Sequence, residues 1–176
     1  MQFDQPLVSV IVPAYNAEAF IGDTLDSIIN QTYISIEVLV VDDGSQDLTP
    51  EIVESIAQKD PRVILLRQSN AGVAAARNLA IQKSTGDYIA PIDADDIWYP
   101  QKLEKQMQCM LTADPSVELI YTWTASVTEK GLLDGGYTNY LVQGEVYLAL
   151  LCKNFVGNAR DCFKTKAIVV WKLKSA

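Results

Sequence analysis

Three aspartates stand within four positions at the end of an apolar run: Asp93, Asp95 and Asp96 follow Tyr88-Ile89-Ala90-Pro91-Ile92. Adjacent carboxylates repel one another, so such a cluster costs stability unless a cation offsets it. Oxygen ligands favour hard cations such as Mg²⁺, Mn²⁺ or Ca²⁺. From a loop, the outer two side chains of Asp93-Ala94-Asp95 can reach one ion or a metal–diphosphate. The competing role is structural: a turn before Pro100 that caps a helix, where Asp is common. An EF-hand is a sharper rival, because Glu104 falls at the twelfth position counted from Asp93. It fails at its centre, where Ile97 and Trp98 occupy places that need an oxygen ligand and a glycine.

Two further polar clusters end apolar runs. Asp42-Asp43-Gly44-Ser45 follows Ile36 to Val41, and Pro13-Ala14-Tyr15-Asn16 follows Leu7 to Val12. A carboxylate after a strand can accept a hydrogen bond from a base or ribose, while Asp-Gly by itself also spells a plain turn. Tyr15 suits stacking on a base, and equally a place in the core. Gly72 and Arg77-Asn78 open and punctuate an Ala-rich stretch, where Arg77 can bring a cation towards an anionic ligand or simply face solvent. The chain contains no histidine. That excludes Ser-His-Asp and Cys-His nucleophile systems and His-based metal sites. No G-x-x-x-x-G-K-[ST] or G-x-G-x-x-G is present, so a diphosphate would depend on metal and side chains rather than a glycine cradle.

Alternating elements must position these clusters. Strands are expected over Leu7–Val12, Ile36–Val41, Val63–Leu66, Tyr88–Ile92 and Val117–Tyr121, all short and rich in apolar residues. Between them lie helical patterns. One runs from about Ala17 to Asn30 with Asn16 as its cap and Ile21, Leu25, Ile28 and Ile29 inward. Another starts at Thr49-Pro50, with Ile52, Val53 and Ile56 inward. A third covers Gly72 to Lys83, with Gly86 as a stop or turn. A fourth runs from Pro100 to about Ala113, with Leu103, Met107, Met110 and Leu111 inward. Four consecutive strand–helix units imply an α/β fold: a Rossmann-like, mostly parallel sheet with helices on both faces. Ligands bind such sheets at the carboxyl ends of strands, where the three clusters fall. From Trp123 the pattern weakens. Gly131, Gly135 and Gly136 mark turns, Glu145–Cys152 suits a helix, and residues 160–176 show no clear period.

The 176 residues fit one domain with a sizeable core. Fourteen basic against 22 acidic residues give a formal charge of −8, so no basic face for nucleic acid is expected. Nor does this balance suit anionic lipid, although Lys164, Lys166, Lys172 and Lys174 cluster late in the chain. No apolar run approaches the roughly 20 residues that span a bilayer, and residues 1–6 do not read as a secretory leader. Cys109, Cys152 and Cys162 form neither a disulfide framework nor a zinc pattern. A reduced, cytoplasmic location is the simplest expectation.

Taken together, the motifs resemble family 2 glycosyltransferases of GT-A fold. The matching elements are residues 8–16, Gln31-Thr32-Tyr33, residues 37–47, Asn70-Ala71-Gly72 with Ala76-Arg77-Asn78, Gly86-Asp87-Tyr88-Ile89, and Asp93-Ala94-Asp95-Asp96 with Pro100 and Lys102-Leu103. They stand in family order from about residue 7 to 105. The resemblance implies transfer of a sugar from a nucleotide-diphospho-sugar, a UDP-sugar first, to an acceptor hydroxyl with inversion, using Mn²⁺ or Mg²⁺. It places Pro13, Ala14, Tyr15, Asn16, Asp42, Asp43, Asn70, Gly72, Arg77, Asp93 and Ala94 at the nucleotide sugar. Within that set Pro13 and Tyr15 line the nucleoside pocket, Asp43 takes the base, and Arg77 approaches the nucleotide. Asp95, with Asp93, contacts the metal. The implied acceptor is a glycan or lipid-linked molecule of polysaccharide biosynthesis. The implied setting is cytoplasmic, with peripheral docking at the inner membrane face.

The chain departs from the family towards its end. Members usually continue into an acceptor region with a Glu-Asp pair that carries the catalytic base. No such pair follows residue 105, although Asn154-Phe155-Val156-Gly157-Asn158 looks like the approach to it. Asp134, Glu145 and Asp161 are left without a supporting motif, so no base is assigned. The expected organisation is one incomplete GT-A domain over residues 1–176. Its donor-binding part spans about 7–125, followed by a degenerate or truncated acceptor part over 126–176. A donor-binding remnant without transfer is the alternative, and a homo-oligomer covering exposed apolar surface is a further expectation. A receiver-like signalling domain also gathers aspartates at strand ends, but Asp42-Asp43 with Asp93 and Asp95 fits its pattern poorly.

Overall fold

Two β-branched runs make the centre of the main sheet. In this computed structural model, which describes residues 5–115, 117, 119–121, 124–127, 133–138 and 169–172, they are β1 (Val8–Ala14) and β2 (Ile36–Asp42). They pair in parallel, from Val8 opposite Ile36 to Ala14 opposite Asp42. Every residue of β1 is buried, as a strand covered on both faces requires. β3 (Val63–Arg67) and β4 (Tyr88–Pro91) extend the parallel array on either side, giving the order β3-β2-β1-β4.

Four helices cover the sheet: α1 (Ile21–Ile29), α2 (Thr49–Ala57), α3 (Val73–Lys83) and α4 (Lys102–Thr112). Val8, Val10 and Val12 point to one face, where they pack with Ile21, Leu25 and Ile28 of α1, Val53 of α2 and Leu103, Met107 and Met110 of α4. Ile11, Leu39, Val41 and Ile89 point to the other face, against Ala76 and Ala80 of α3. Alanines at those two positions let α3 lie close on the strands. The sandwich of faces follows from chain order. From β1 the chain moves outward through β2 to β3, then returns across the sheet to β4. Because such crossovers are right-handed, the return connection carries α3 on the opposite face. The direction of winding reverses between β1 and β4, and a crevice forms at that point beyond the carboxyl ends.

Sequence expectations for these elements hold to within a few residues, with three corrections. Asn16 does not cap α1: Phe20 stands at the cap position, and Asn16 takes a positive φ of 47° in the preceding loop. Leu111 is not inward but half exposed, since α4 turns that position away from the sheet. Gly135 and Gly136 do not sit in turns. They lie within β7 (Leu133–Thr138), which pairs antiparallel with β6 (Thr124–Val127) across an irregular register near Ala125.

β5 (Leu119–Tyr121) does not join β4 directly. Between them lies β8 (Val169–Lys172), antiparallel to both, with Ile89 opposite Trp171 and Leu119 opposite Trp171 on its other side. This strand comes from the stretch that shows no period. The expected helix at Glu145–Cys152, Gly131, and the segment from Asn154 to Asp161 lie outside the described residues.

Gly86 is dictated by packing. A Cβ there would lie 2.6 Å from Ser9 Oγ and 2.7 Å from Leu7 O. The space is filled by a polar clasp instead. The Gly86 N–H donates to Ser9 Oγ at 2.9 Å, and Ser9 Oγ donates to Glu37 Oε1 at 2.5 Å. Thr85 N donates to the same carboxylate oxygen at 2.6 Å. This clasp joins the entry to β4 with β1 and β2 at the end of the sheet opposite the crevice.

Candidate functional site

The crevice encloses about 670 Å³, within the usual range for a small-molecule site. Four segments line it. Pro13 to Ala17 and Phe20 come from the end of β1 and its connection to α1, Asp43 from just after β2, Asn70, Gly72, Val73, Ala76 and Arg77 from the start of α3 and the turn before it, and Asp93 to Asp95 from the loop after β4. Pro13, Ala14, Tyr15, Asn16, Asp43, Asn70, Gly72, Arg77, Asp93, Ala94 and Asp95, all expected at the ligand from sequence, are thus brought to one cavity.

Asp42 is not among the lining residues. Its side chain is buried, and its Oδ1 accepts the Ser45 N–H at 3.1 Å, closing the turn after β2. Asp42 is thus spent on the turn, and Asp43, the next residue, enters the crevice.

Asp43 is the most fully held group in the site. Its Oδ1 accepts from Gln68 Nε2 at 2.6 Å and from the Ala71 N–H at 2.9 Å, and Oδ2 accepts from the Gly72 N–H at 2.8 Å. Burial pushes this carboxyl up, but the Gln68 amide and the two backbone donors outweigh it and hold it below the usual carboxylate range. A carboxylate oxygen has about two lone-pair sites, so Oδ2 keeps acceptor capacity for a ligand. Gly72, at φ 90°, bends the chain so that its own N–H and that of Ala71 meet the same side chain before α3 begins. Local pattern does not single out Gln68. Its only signal in the sequence is a lone amide one residue after a strand.

The loop after β1 is fastened to the loop after β2. Asn16 N–H donates to Ser45 Oγ at 3.0 Å, and Asn16 Oδ1 accepts the Gln46 N–H at 2.9 Å. Ala17 N–H donates to Thr49 Oγ1 at 2.8 Å. Asn tolerates the left-handed conformation that this geometry needs. The effect is to set Tyr15, half exposed, at the cavity mouth.

At the β4 end, Arg77 Nη2 donates to Asp93 Oδ1 in an ion pair within the cavity. Among the described residues Asp95 has no such cation. Burial pushes its carboxyl up, with its own N–H offsetting part of that and the charge of Asp93 adding to it. The loop is held from behind. Thr24 Oγ1 donates to Ala94 O at 2.8 Å, and Ile92 N–H to Ile11 O at 3.0 Å. Gln31 also links α1 to this region, donating from Nε2 to Tyr99 O at 2.8 Å and accepting the Leu103 N–H at 3.0 Å. Gln31 and Thr32 thus fasten the end of α1 to the start of α4, while the Tyr33 hydroxyl donates to Pro6 O at 2.6 Å. Among the described residues, no group of three or more carboxylates and thiols is arranged to hold a metal ion. Asp95 and the remaining oxygen of Asp93 make two. A hard cation would complete its shell with ligand and water oxygens, as Mg²⁺ commonly does.

A parallel α/β sheet in the order β3-β2-β1-β4, an antiparallel strand beyond it, and an acidic loop at the switch point define the GT-A class of glycosyltransferase fold. Comparison with known proteins agrees. The model of glycosyl transferase family 2 matches residues 9–145, and the chain belongs to that family. A glycosyltransferase of Haemophilus influenzae, itself uncharacterized, is 45% identical over 109 residues, covering 61% of this chain and 44% of the relative. The chondroitin synthase of Pasteurella multocida is 36% identical over 133 residues, covering 75% of this chain and 14% of that enzyme. Among solved structures, the mannosyltransferase PcManGT from Pyrobaculum calidifontis, in complex with GDP-Man and Mn²⁺, is 35% identical with a TM-score of 0.56 over 66% of this chain and 35% of its own. S. aureus TarS 1-349 with UDP-GlcNAc is 32% identical with a TM-score of 0.55 over 58% and 30%. The chain spans less than half the length of the first of these curated relatives. Among the described residues no helix is long and apolar enough to cross a membrane.

Proposed function

We propose that this chain supplies the donor site of an inverting glycosyltransferase that takes a nucleotide-diphospho-sugar, a UDP-sugar first, with a divalent metal, and passes the sugar to an acceptor hydroxyl. The observation that carries the reading is the single cavity at the switch point, with Asp43 at one end and Asp95 at the other. β1 lies between the strands that bear them, so the two ends are set apart by about two strand spacings, roughly 10 Å. In this reading Asp43 accepts a hydrogen bond from the base, and Tyr15 and Pro13 flank the nucleoside. Asp95 and Asp93 face the diphosphate, and Arg77 orients Asp93. Mn²⁺ or Mg²⁺ held there would neutralise charge growing on the leaving diphosphate. In the transfer, the acceptor oxygen bonds to the anomeric carbon from the far side, the carbon–phosphate oxygen bond breaks, and its electron pair leaves with the nucleoside diphosphate. The acceptor's proton goes to a general base. A glycan or lipid-linked alcohol, met in the cytoplasm at the inner membrane face, is the acceptor class that fits this reading.

One observation favours a second reading, donor binding without transfer. The carboxylates of the cavity are all engaged or assigned. Asp43 holds three donors and Asp93 holds Arg77, while Asp95 is the group left to face the ion. Among the described residues, none of those lining the cavity remains to serve as base. Turnover separates the readings: release or transfer of sugar by the 176-residue chain counts against the second. The metal assignment is tested by titrating UDP calorimetrically with and without Mn²⁺. Asp95→Ala should lose the gain in affinity that Mn²⁺ gives. Undiminished metal-dependent binding by that variant would sink the assignment.

A further inference from the structure

Three large apolar side chains line the cavity and are about half exposed: Tyr15, Phe20 and Val73. Their backbone ties place them at different ends. Val73 directly follows Gly72, whose N–H is bound to Asp43. Tyr15 precedes Asn16, which is fastened to Ser45 and Gln46 beyond β2. Phe20 belongs to the other end. Its carbonyl accepts the Thr24 N–H at 3.0 Å, so Phe20, at the cap of α1, and Thr24 are joined across one helical turn. Thr24 in turn donates its hydroxyl to Ala94 O, between Asp93 and Asp95. Phe20 thus lines the cavity from a helical turn that is tied, through Thr24, to the aspartate loop.

We propose that Phe20 is a specificity-determining residue that receives the donor's sugar, a role that rests on the nucleotide-sugar reading above. A pyranose presents a face of C–H bonds, and an aromatic ring with an electron-rich face is a suitable surface for it. The ring also remains 46% exposed, which is apolar area that a ligand could cover. It lines the same cavity as Asp93, Ala94 and Asp95, the residues assigned to the diphosphate, and the sugar is joined directly to that diphosphate. The ring at the base end would instead be Tyr15. Local pattern carries no hint of this division, because Phe20 falls outside the apolar stripe of α1.

The test compares binding of UDP with UDP-GlcNAc, and of GDP with GDP-mannose, by calorimetry in Mn²⁺. It uses the wild type, Phe20→Ala and Phe20→Tyr. At least one sugar nucleotide should bind the wild type more tightly than its bare nucleotide. Phe20→Ala should weaken that sugar nucleotide roughly tenfold and leave the bare nucleotide within about twofold. Phe20→Tyr, which keeps the ring, should retain the difference, and unchanged melting temperatures show that the variants are folded. Equal losses on nucleotide and sugar nucleotide would place the ring at the nucleoside and overturn the proposal. So would no loss at all, or a wild type that gains nothing from the sugar. A wild type that binds no nucleotide would overturn the underlying reading, and the proposal with it.

Discussion

Asp43 shows how a single carboxylate can serve structure and ligand together. Three donors converge on it, so replacing it by Asn forces an amide N–H₂ against at least one N–H donor. Asp43→Asn should cost about 2 kcal/mol of stability, the scale of buried donors left unmet, and chemical denaturation would measure it. The pH dependence has a definite sign. A carboxyl held below its ordinary range when folded stabilises fully above that range, and the contribution is lost as pH falls through the lower, folded value. Stability should therefore decline below about pH 4, and Asp43→Asn should flatten that decline. Lys102 works the other way. Its Nζ is buried 3.6 Å from the centroid of the Trp98 ring and has no hydrogen-bond partner among the described residues. Burial drives this amine well below the ordinary lysine range. The unfolded chain then binds the proton more tightly, so stability rises as pH climbs from the folded value towards the unfolded one. Lys102→Met should raise the melting temperature at neutral pH by about 3 °C, the shift of 1 kcal/mol in a chain of this size. It should also remove the alkaline rise. A lower melting temperature would mean that the ammonium is well compensated.

The elements carry the loops more than they carry ligand contacts. β1 is bound on both sides, and its two neighbours bring Asp43 and the Asp93–Asp95 loop to its carboxyl end. The opposite end is fixed by the Gly86–Ser9–Glu37 clasp. Gly86→Ala would push a methyl group onto the backbone of Leu7 and Ser9, which cannot yield without moving β1. It should cost about 2–3 kcal/mol, the upper part of the overpacking range. Denaturant midpoints would show that loss, and an unchanged midpoint would mean that β4 can shift. The element pattern is largely legible in sequence. Periods of apolar residues identify α1, α2 and α4 and the four parallel strands, because each buries one stripe or both faces against a neighbour close in the chain. The pairing of β8 between β4 and β5 is not legible there. A strand inserted from far beyond β5 in the chain is chosen by the edges it can satisfy, not by its own period.

At the scale of the molecule, two cores of unequal size grip one sheet, and the crevice opens where the winding reverses. A ligand that spans the crevice would tie together loops from β1, β2, β4 and α3. If UDP with Mn²⁺ binds the folded chain and not the unfolded one, a hundredfold excess over its Kd should add about 2.7 kcal/mol. That corresponds to roughly 5–10 °C in melting temperature. Omitting Mn²⁺, or introducing Asp95→Ala, should remove much of the shift in a thermal melt.

Residue types and order alone excluded His-based nucleophile and metal chemistry, since the chain has no histidine. They also determined that three polar clusters end strands of an α/β sheet. Only tertiary structure separated Asp42, whose carboxylate closes the turn after β2, from Asp43, whose carboxylate meets the start of α3. It alone showed Asn16 fastening two loops instead of capping a helix, and Gln68 supporting Asp43. It also brought Phe20 into the cavity that the aspartate loop lines. These facts depend on which loops the sheet order makes adjacent, and contacts between residues 70 positions apart leave no trace in local pattern.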